Sequence, residues 1–117
     1  MKKQEKLSLD LQKDTRKYTQ EATLTKKVKE LLEANGIFFY KASDRYQSGV
    51  SDILCCVNGI FVALELKAKN GKPSPHQKLF IKQVIKAGGV AGICYCIKDV
   101  KDLINGAVEL GRNNKEQ

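Results

Sequence analysis

No stretch of this chain approaches the roughly 20 consecutive apolar residues that a membrane-spanning helix needs, so a bilayer span is excluded on length. The basic N-terminus (Lys2, Lys3, Lys6) is not followed by an apolar segment, which excludes a secretory signal peptide and makes the cytoplasm the expected compartment. No internal repeat is visible. Cysteine is limited to Cys55-Cys56 and Cys94-x-Cys96, and neither spacing is the C-x₂₋₄-C of a structural zinc site. Neighbouring Cys55 and Cys56 point to opposite faces of a strand and cannot share an ion, so all four cysteines are expected as small buried hydrophobes, reduced in a cytoplasmic chain. Acid is also short, with 13 Asp and Glu against 21 Lys and Arg. The resulting charge of +8 points to an anionic partner, of which nucleic acid is the commonest for a soluble domain.

What is present suits one domain. At 117 residues, 42% hydrophobic and 29% charged, the chain can bury a core without staples. Residues 1–20 read as a flexible basic arm and residues 111–117 as a polar tail. Between them, Glu21 to Asn35 reads as a helix, with Leu24, Val28, Leu31 and Leu32 at helical spacing and Asn35-Gly36 as its stop. On the helical wheel Glu21 falls within that apolar stripe, whereas Glu30 and Glu33 fall away from it. Simple first-turn complementation of the helix dipole explains Glu21 equally well. Ile37 to Lys41 is a first strand. A second helix starts at Ser74-Pro75-His76-Gln77, where Ser74 caps, Pro75 suits the first turn and Gln77 completes a capping box. The lone histidine, His76, reads as a solvated helix-start residue rather than a general base. Gly88-Gly89 ends that helix. Val90 to Ile97 is expected as a buried strand and Val100 to Leu110 as a last helix. The order α-β-β-β-α-β-α, with the fourth strand returning through a helix, predicts an α/β fold with a mixed sheet.

The centre of the chain is the most informative. Asp52 to Val57 and Ile60 to Lys67 are two apolar strands around Asn58-Gly59, the preferred two-residue type I′ turn. With that loop Val57 pairs with Ile60, and Asp52 falls opposite Glu65 with Cβ atoms about 5 Å apart. Lys67, two residues on, points to the same face. Like charges so opposed are destabilising unless offset. Oxygen ligands suit Mg²⁺ or Mn²⁺, and a metal beside an ammonium can activate water and stabilise a phosphoryl transition state. The plainer reading is a solvated Asp52 and a surface Glu65–Lys67 ion pair.

The pattern Gly49-Val50-Ser51-Asp52, then Glu65-Leu66-Lys67, Gly71 and Gln77, resembles the PD-(D/E)XK nuclease superfamily, and within it the stand-alone VRR-NUC domains of phage and prokaryotic genomes. The resemblance spans about residues 21 to 105, and residues 21–110 are taken as the nuclease domain. It implies a restriction-endonuclease-like αβββαβ core with a central mixed sheet flanked by helices. It further implies that Asp52, Glu65 and the backbone carbonyl of Leu66 hold the metal, and that Lys67 orients or activates water or stabilises transition-state charge. By the same resemblance Glu21 sits near the metal, reaching it through water, and Gln77 joins the site, although the capping box accounts for Gln77 as well. Lys41, Arg45, Lys69, Lys72 and Lys78 flank this site as phosphate-contact candidates. One departure is Ser51, where the family has proline; serine leaves the approach to the strand less rigid.

The implied activity is metal-dependent hydrolysis of DNA phosphodiester bonds, selective for structure as in Holliday-junction resolvases and carried out by a homodimer. The competing readings are a nucleic-acid-binding module, a nuclease subunit of a larger phage or restriction complex, and an RNA endonuclease.

Overall fold

A computed structural model describes residues 14–42 and 49–115. The elements follow in the order α1 (Glu21–Ala34), β1 (Phe38–Lys41), β2 (Ile53–Val57), β3 (Ile60–Leu66), α2 (Pro75–Lys86), β4 (Val90–Cys94) and α3 (Ile97–Lys115). The four strands form one sheet in the order β1-β2-β3-β4, antiparallel across β1-β2 and β2-β3 and parallel across β3-β4. This is the αβββαβ core with a mixed sheet, followed by a closing helix.

Local chemistry explains the stops. α1 ends in a Schellman motif: Gly36 takes φ of 66°, its N–H donates to the Glu33 carbonyl, and the Ile37 N–H donates to the Leu32 carbonyl at 3.0 Å. α2 ends the same way, with Gly88 at φ of 101° and the Gly89 N–H on the Val84 carbonyl at 2.9 Å. At the hairpin, Asn58 and Gly59 have φ of 52° and 83°, both positive as a type I′ turn requires. The register runs from Val57↔Ile60 to Ile53↔Leu64.

Strand alternation divides the sheet into two faces. Ile53, Cys55 and Val57 of β2 and Ile60, Val62, Leu64 and Leu66 of β3 point into the main core, against Leu24, Val28 and Leu32 of α1 and Val100, Ile104 and Ala107 of α3. The opposite face carries a smaller cluster in which Val84, Phe80 and Ile81 of α2 cover Ala63, Ala91 and Leu54.

The C-terminal half departs from expectation at three points. β4 stops at Cys94, so Cys96 lies beyond the strand, and α3 begins at Ile97 rather than Val100. The Asp99 carboxylate accepts the Tyr95 N–H at 2.9 Å, fixing the helix start inside an apolar run whose period alone could not distinguish strand from helix. β4 is an edge strand and only partly buried. Residues 111–115 continue α3, because Gly111 packs against the hairpin turn. There Asn58 donates from Nδ2 to the Val108 carbonyl at 3.2 Å and accepts from Lys115 Nζ at 2.8 Å. Three of the four cysteines are buried, but Cys56 is exposed.

Of the residues expected as an N-terminal arm, 1–13 lie outside the described residues, as do 116–117 of the expected tail. Residues 14–20 dock on the domain. The Asp14 carbonyl accepts from the Lys98 N–H at 2.9 Å and the Tyr18 carbonyl from the Lys69 N–H at 2.7 Å.

Gly111→Ala tests the α3 contact by the sign of its effect. In an ordinary helix interior the change gains roughly 0.5–1 kcal/mol. Here a Cβ would overlap the Asn58 carbonyl oxygen and lie 2.9 Å from Asn58 Nδ2. Urea unfolding should show a net loss of about 1–3 kcal/mol; a gain would mean that α3 does not press on the turn.

Candidate active site

The next step of the hairpin register brings Asp52 beside Glu65. The Asp52 carbonyl accepts the Ala42 N–H at 2.8 Å, tying the head of β2 to β1. Its side-chain Oδ2 accepts the Leu66 N–H at 2.8 Å, turning the carboxylate toward β3. Glu65 is 1% exposed. Its Oε2 accepts Gln77 Nε2 at 2.9 Å and lies 3.5 Å from Lys67 Nζ. Its Oε1 is buried with no hydrogen-bond partner.

Gln77 occupies both of its sequence-predicted roles. Oε1 accepts the Ser74 N–H at 2.8 Å, and the Gln77 N–H returns to Ser74 Oγ at 3.1 Å, closing the capping box. With Oε1 committed to a donor, the amide can present only its NH₂ to Glu65. The start of α2 is held against the approach to β2 by Gly49, whose φ is +89° and where a Cβ would lie 2.5 Å from the His76 carbonyl oxygen. No side chain fits in that gap. Ser51, the residue in place of the family's proline, is fully buried with an unpartnered hydroxyl.

The electrostatics follow from this crowding. Burial first, then the charge and hydrogen bond of Asp52, push the Glu65 carboxyl up to about 8, with Lys67 opposing them only in part. Glu21 is also raised, first by burial and then by Asp52, with Lys67 and Lys41 pulling the other way. Glu21, Asp52, Glu65, Lys67 and Lys41 thus form one electrostatic neighbourhood. Glu21 is nevertheless exposed, not core-facing as the wheel implied, because the first turn of α1 extends past the core to the rim of the site.

Among the described residues, no three His, Cys, Asp or Glu side chains cluster closely enough to cage an ion by themselves. Mg²⁺ does not require that, since it keeps several waters and takes one or two carboxylates. The facing carboxylates of Asp52 and Glu65, the latter with an Oε1 that receives no donor, have the donor chemistry of a hard divalent cation.

Other predicted residues lie further out. Lys69 and Lys72 are exposed on the loop after β3, and Lys78 is exposed in the first turn of α2. Arg45 lies outside the described residues. Sequence reasoning missed Lys26 and Lys29, which line a groove of about 540 Å³ with Glu21, Thr25 and Lys41. Their signal was the i, i+4 spacing of Glu21, Thr25 and Lys29 along α1. It also missed Tyr95, whose hydroxyl donates to the Gly71 carbonyl at 2.7 Å and steadies the loop bearing Lys69 and Lys72. No local signal marks that contact.

A solved structure described as a VRR-NUC domain is 32% identical to this chain, with a TM-score of 0.62, and the match covers 72% of this chain and 92% of that one. The chain belongs to the VRR-NUC domain family. No family model and no curated protein matches it. The VRR-NUC fold here is the restriction-endonuclease-like arrangement already described, with the opposed carboxylates at the end of its central hairpin. Among the described residues no helix is long and apolar enough to cross a membrane.

A raised acid binds its proton more tightly in the folded than in the unfolded state. Glu65 therefore contributes stability that is fully present below the ordinary carboxylate value of 4.5 and is lost as pH rises through about 8. In metal-free protein, Glu65→Gln should raise the melting temperature at pH 8 by roughly 4–8 °C, the equivalent of about 1 kcal/mol, and by less at pH 5. Added Mn²⁺ should stabilise the wild type more at pH 8 than at pH 5 and the variant little at either. Equal wild-type shifts at the two pH values would refute the buried-acid account.

Proposed function

We propose that this VRR-NUC domain is a metal-dependent endonuclease that hydrolyses DNA phosphodiester bonds, selective for branched structure in the manner of Holliday-junction resolvases and active as a homodimer. The observation that carries this reading is Glu65: a buried carboxylate facing Asp52, with an unpartnered oxygen and a pKa of about 8, in a family of nuclease domains. An isolated domain gains nothing from so unfavourable a pair, whereas a cation-binding phosphodiesterase needs it.

In this reading Asp52, Glu65 and the Leu66 carbonyl hold Mg²⁺ or Mn²⁺. The ion supplies Lewis acidity at the phosphate and lowers the pKa of a coordinated water. The chain's own residues supply the rest. The Leu66 N–H and the Gln77 amide fix the two carboxylates in rotation. Lys67 presents an ammonium on the same face, where it can orient water or balance charge that grows on the phosphate oxygens. Glu21, at the rim, would reach the ion through a water rather than directly. Lys41, Arg45, Lys69, Lys72 and Lys78 supply the phosphate contacts that position the strand without reading sequence, and Lys26 and Lys29 extend that surface along α1. The charge of +8 favours encounter with any nucleic acid and makes binding fall with salt.

Cleavage of a labelled four-way junction, a matched duplex, a single strand and an RNA duplex tests this directly. With Mg²⁺ or Mn²⁺ the junction should be cut fastest. Glu65→Ala, if folded by circular dichroism, should lose about a thousandfold or more, since several kcal/mol of transition-state stabilisation go with the ion. Metal-independent binding by both proteins without cutting would favour a binding module, and preferential cutting of RNA would reassign the substrate.

A further inference from the structure

Acid disappears from the chain over a long stretch around α2. Between Glu65 and Asp99 there are seven lysines and no Asp or Glu. Almost all of the net charge of +8 therefore comes from one stretch of sequence. Lys67 belongs to the site, and Lys98 is paired with Asp102 at 2.8 Å. The other five run from the loop after β3 onto α2, and all are exposed.

α2 differs from the other two helices in how its charges are set. In α1, Lys26 precedes Glu30 and Lys29 precedes Glu33 by the four residues that bring opposite charges side by side. In α3, Lys98 holds Asp102 and Arg112 holds Glu109. α2 has Lys78, Lys82 and Lys86 and no acid. None of the three makes an ion pair among the described residues. Each is four residues from the next, so like charges are neighbours along one side of the helix and repel. Lys78 also stands in the first turn, where the helix dipole disfavours a cation; only Lys86, in the last turn, suits it. The row works against its own helix unless an anion outside offsets the repulsion.

Position selects the anion. The row starts one residue after Gln77, whose amide donates to Glu65 at 2.9 Å. Phe80, Ile81 and Val84 turn the other side of α2 to the sheet, so the row points outward. At 1.5 Å per residue, Lys78 to Lys86 span about 12 Å, or between three and four base-pair steps of roughly 3.4 Å. All three are lysine, a point charge suited to backbone phosphate, not the arginine fork that reads guanine. Leu79 and Ile85, 51% and 53% exposed, lie beside the row and would serve an anionic lipid surface. A membrane gives the row no reason to begin at a pair of facing carboxylates, whereas a duplex cut there must leave the cut in some direction.

We infer that Lys78, Lys82 and Lys86 form a phosphate rail that holds the duplex arm leaving the cleavage site. The inference rests on the nuclease reading above and names the path of its substrate.

Lys82→Gln/Lys86→Gln tests the rail and leaves the site intact. Both positions are exposed and glutamine is a good helix former, so the variant should fold, as circular dichroism can check. Lys27→Gln/Arg112→Gln removes the same charge from α1 and α3. Binding of a labelled duplex to the full chain is followed by fluorescence anisotropy without divalent metal, across a salt series. The slope of log K against log salt should be shallower by roughly 1.8 in the rail variant, at about 0.9 per phosphate contact, and unchanged in the control. With Mg²⁺ the KM for the junction should rise about tenfold in the rail variant, with kcat unchanged. A rail variant with the wild-type slope, or equal losses in the rail variant and the control, would overturn the rail. So would a rail variant that binds duplex normally but no longer binds phosphatidylserine vesicles that the wild type holds. A wild type that binds duplex with the steeper slope and cuts nothing would overturn the nuclease and leave the rail standing.

Discussion

The register of one hairpin governs the candidate site. Asn58 and Gly59 must both take positive φ, and few residue pairs do so without strain. Once they do, Ile60 faces Val57 and the strands can proceed only in the order observed, which ends with Asp52 alongside Glu65. A slip of one residue would send the apolar set of β3 into solvent. The force that buries Val62, Leu64 and Leu66 therefore also places two acids together at the far end. The hydrophobic effect, which is indifferent to chemistry, holds a pair that electrostatics alone would separate.

The surroundings of that pair treat its two members differently. Asp52 receives a backbone N–H and is turned toward β3. Glu65 is enclosed, receives one amide N–H and a more distant ammonium, and has one oxygen that receives no donor; only when protonated can it hydrogen-bond Asp52. Ionised, it would leave a buried acceptor unpaired at a cost of about 1–3 kcal/mol, next to Lys67 and Gln77, where a cation would relieve it. The capping box of α2, which in most helices ends the matter, here also aims the Gln77 amide at the acid.

Much of the fold was legible because its punctuation is local. Gly36, Asn58-Gly59 and Gly88 are required by backbone conformation at single positions, and Ser74 and Gln77 satisfy donors within one turn. The same pattern carried the opposed acids, since a strand period of two and a known turn fix which side chains face one another. What could not be read depends on distant contacts. The continuation of α3 to Lys115 follows from Gly111 meeting Asn58, 53 positions earlier in the chain, and the polar character of that segment gives no hint of it. The Val90 run looked like a buried strand throughout, but it ends at Cys94 on an edge, and Asp99 turns the remainder into a helix start. The wheel put Glu21 on the core side, whereas it is exposed, because a wheel carries no information about where the opposing core ends.

The central claim is that Glu65 holds a proton near neutrality that a divalent cation displaces. Calorimetric titration of Mn²⁺ into the protein at pH 7, repeated in buffers of different ionisation enthalpy, counts protons released per ion bound. With a carboxyl at about 8, the account predicts release of most of one proton from the wild type, and none from Glu65→Gln. Binding by the wild type without proton release would contradict it, because the two acids would then both be ionised and the hairpin would hold no poised site.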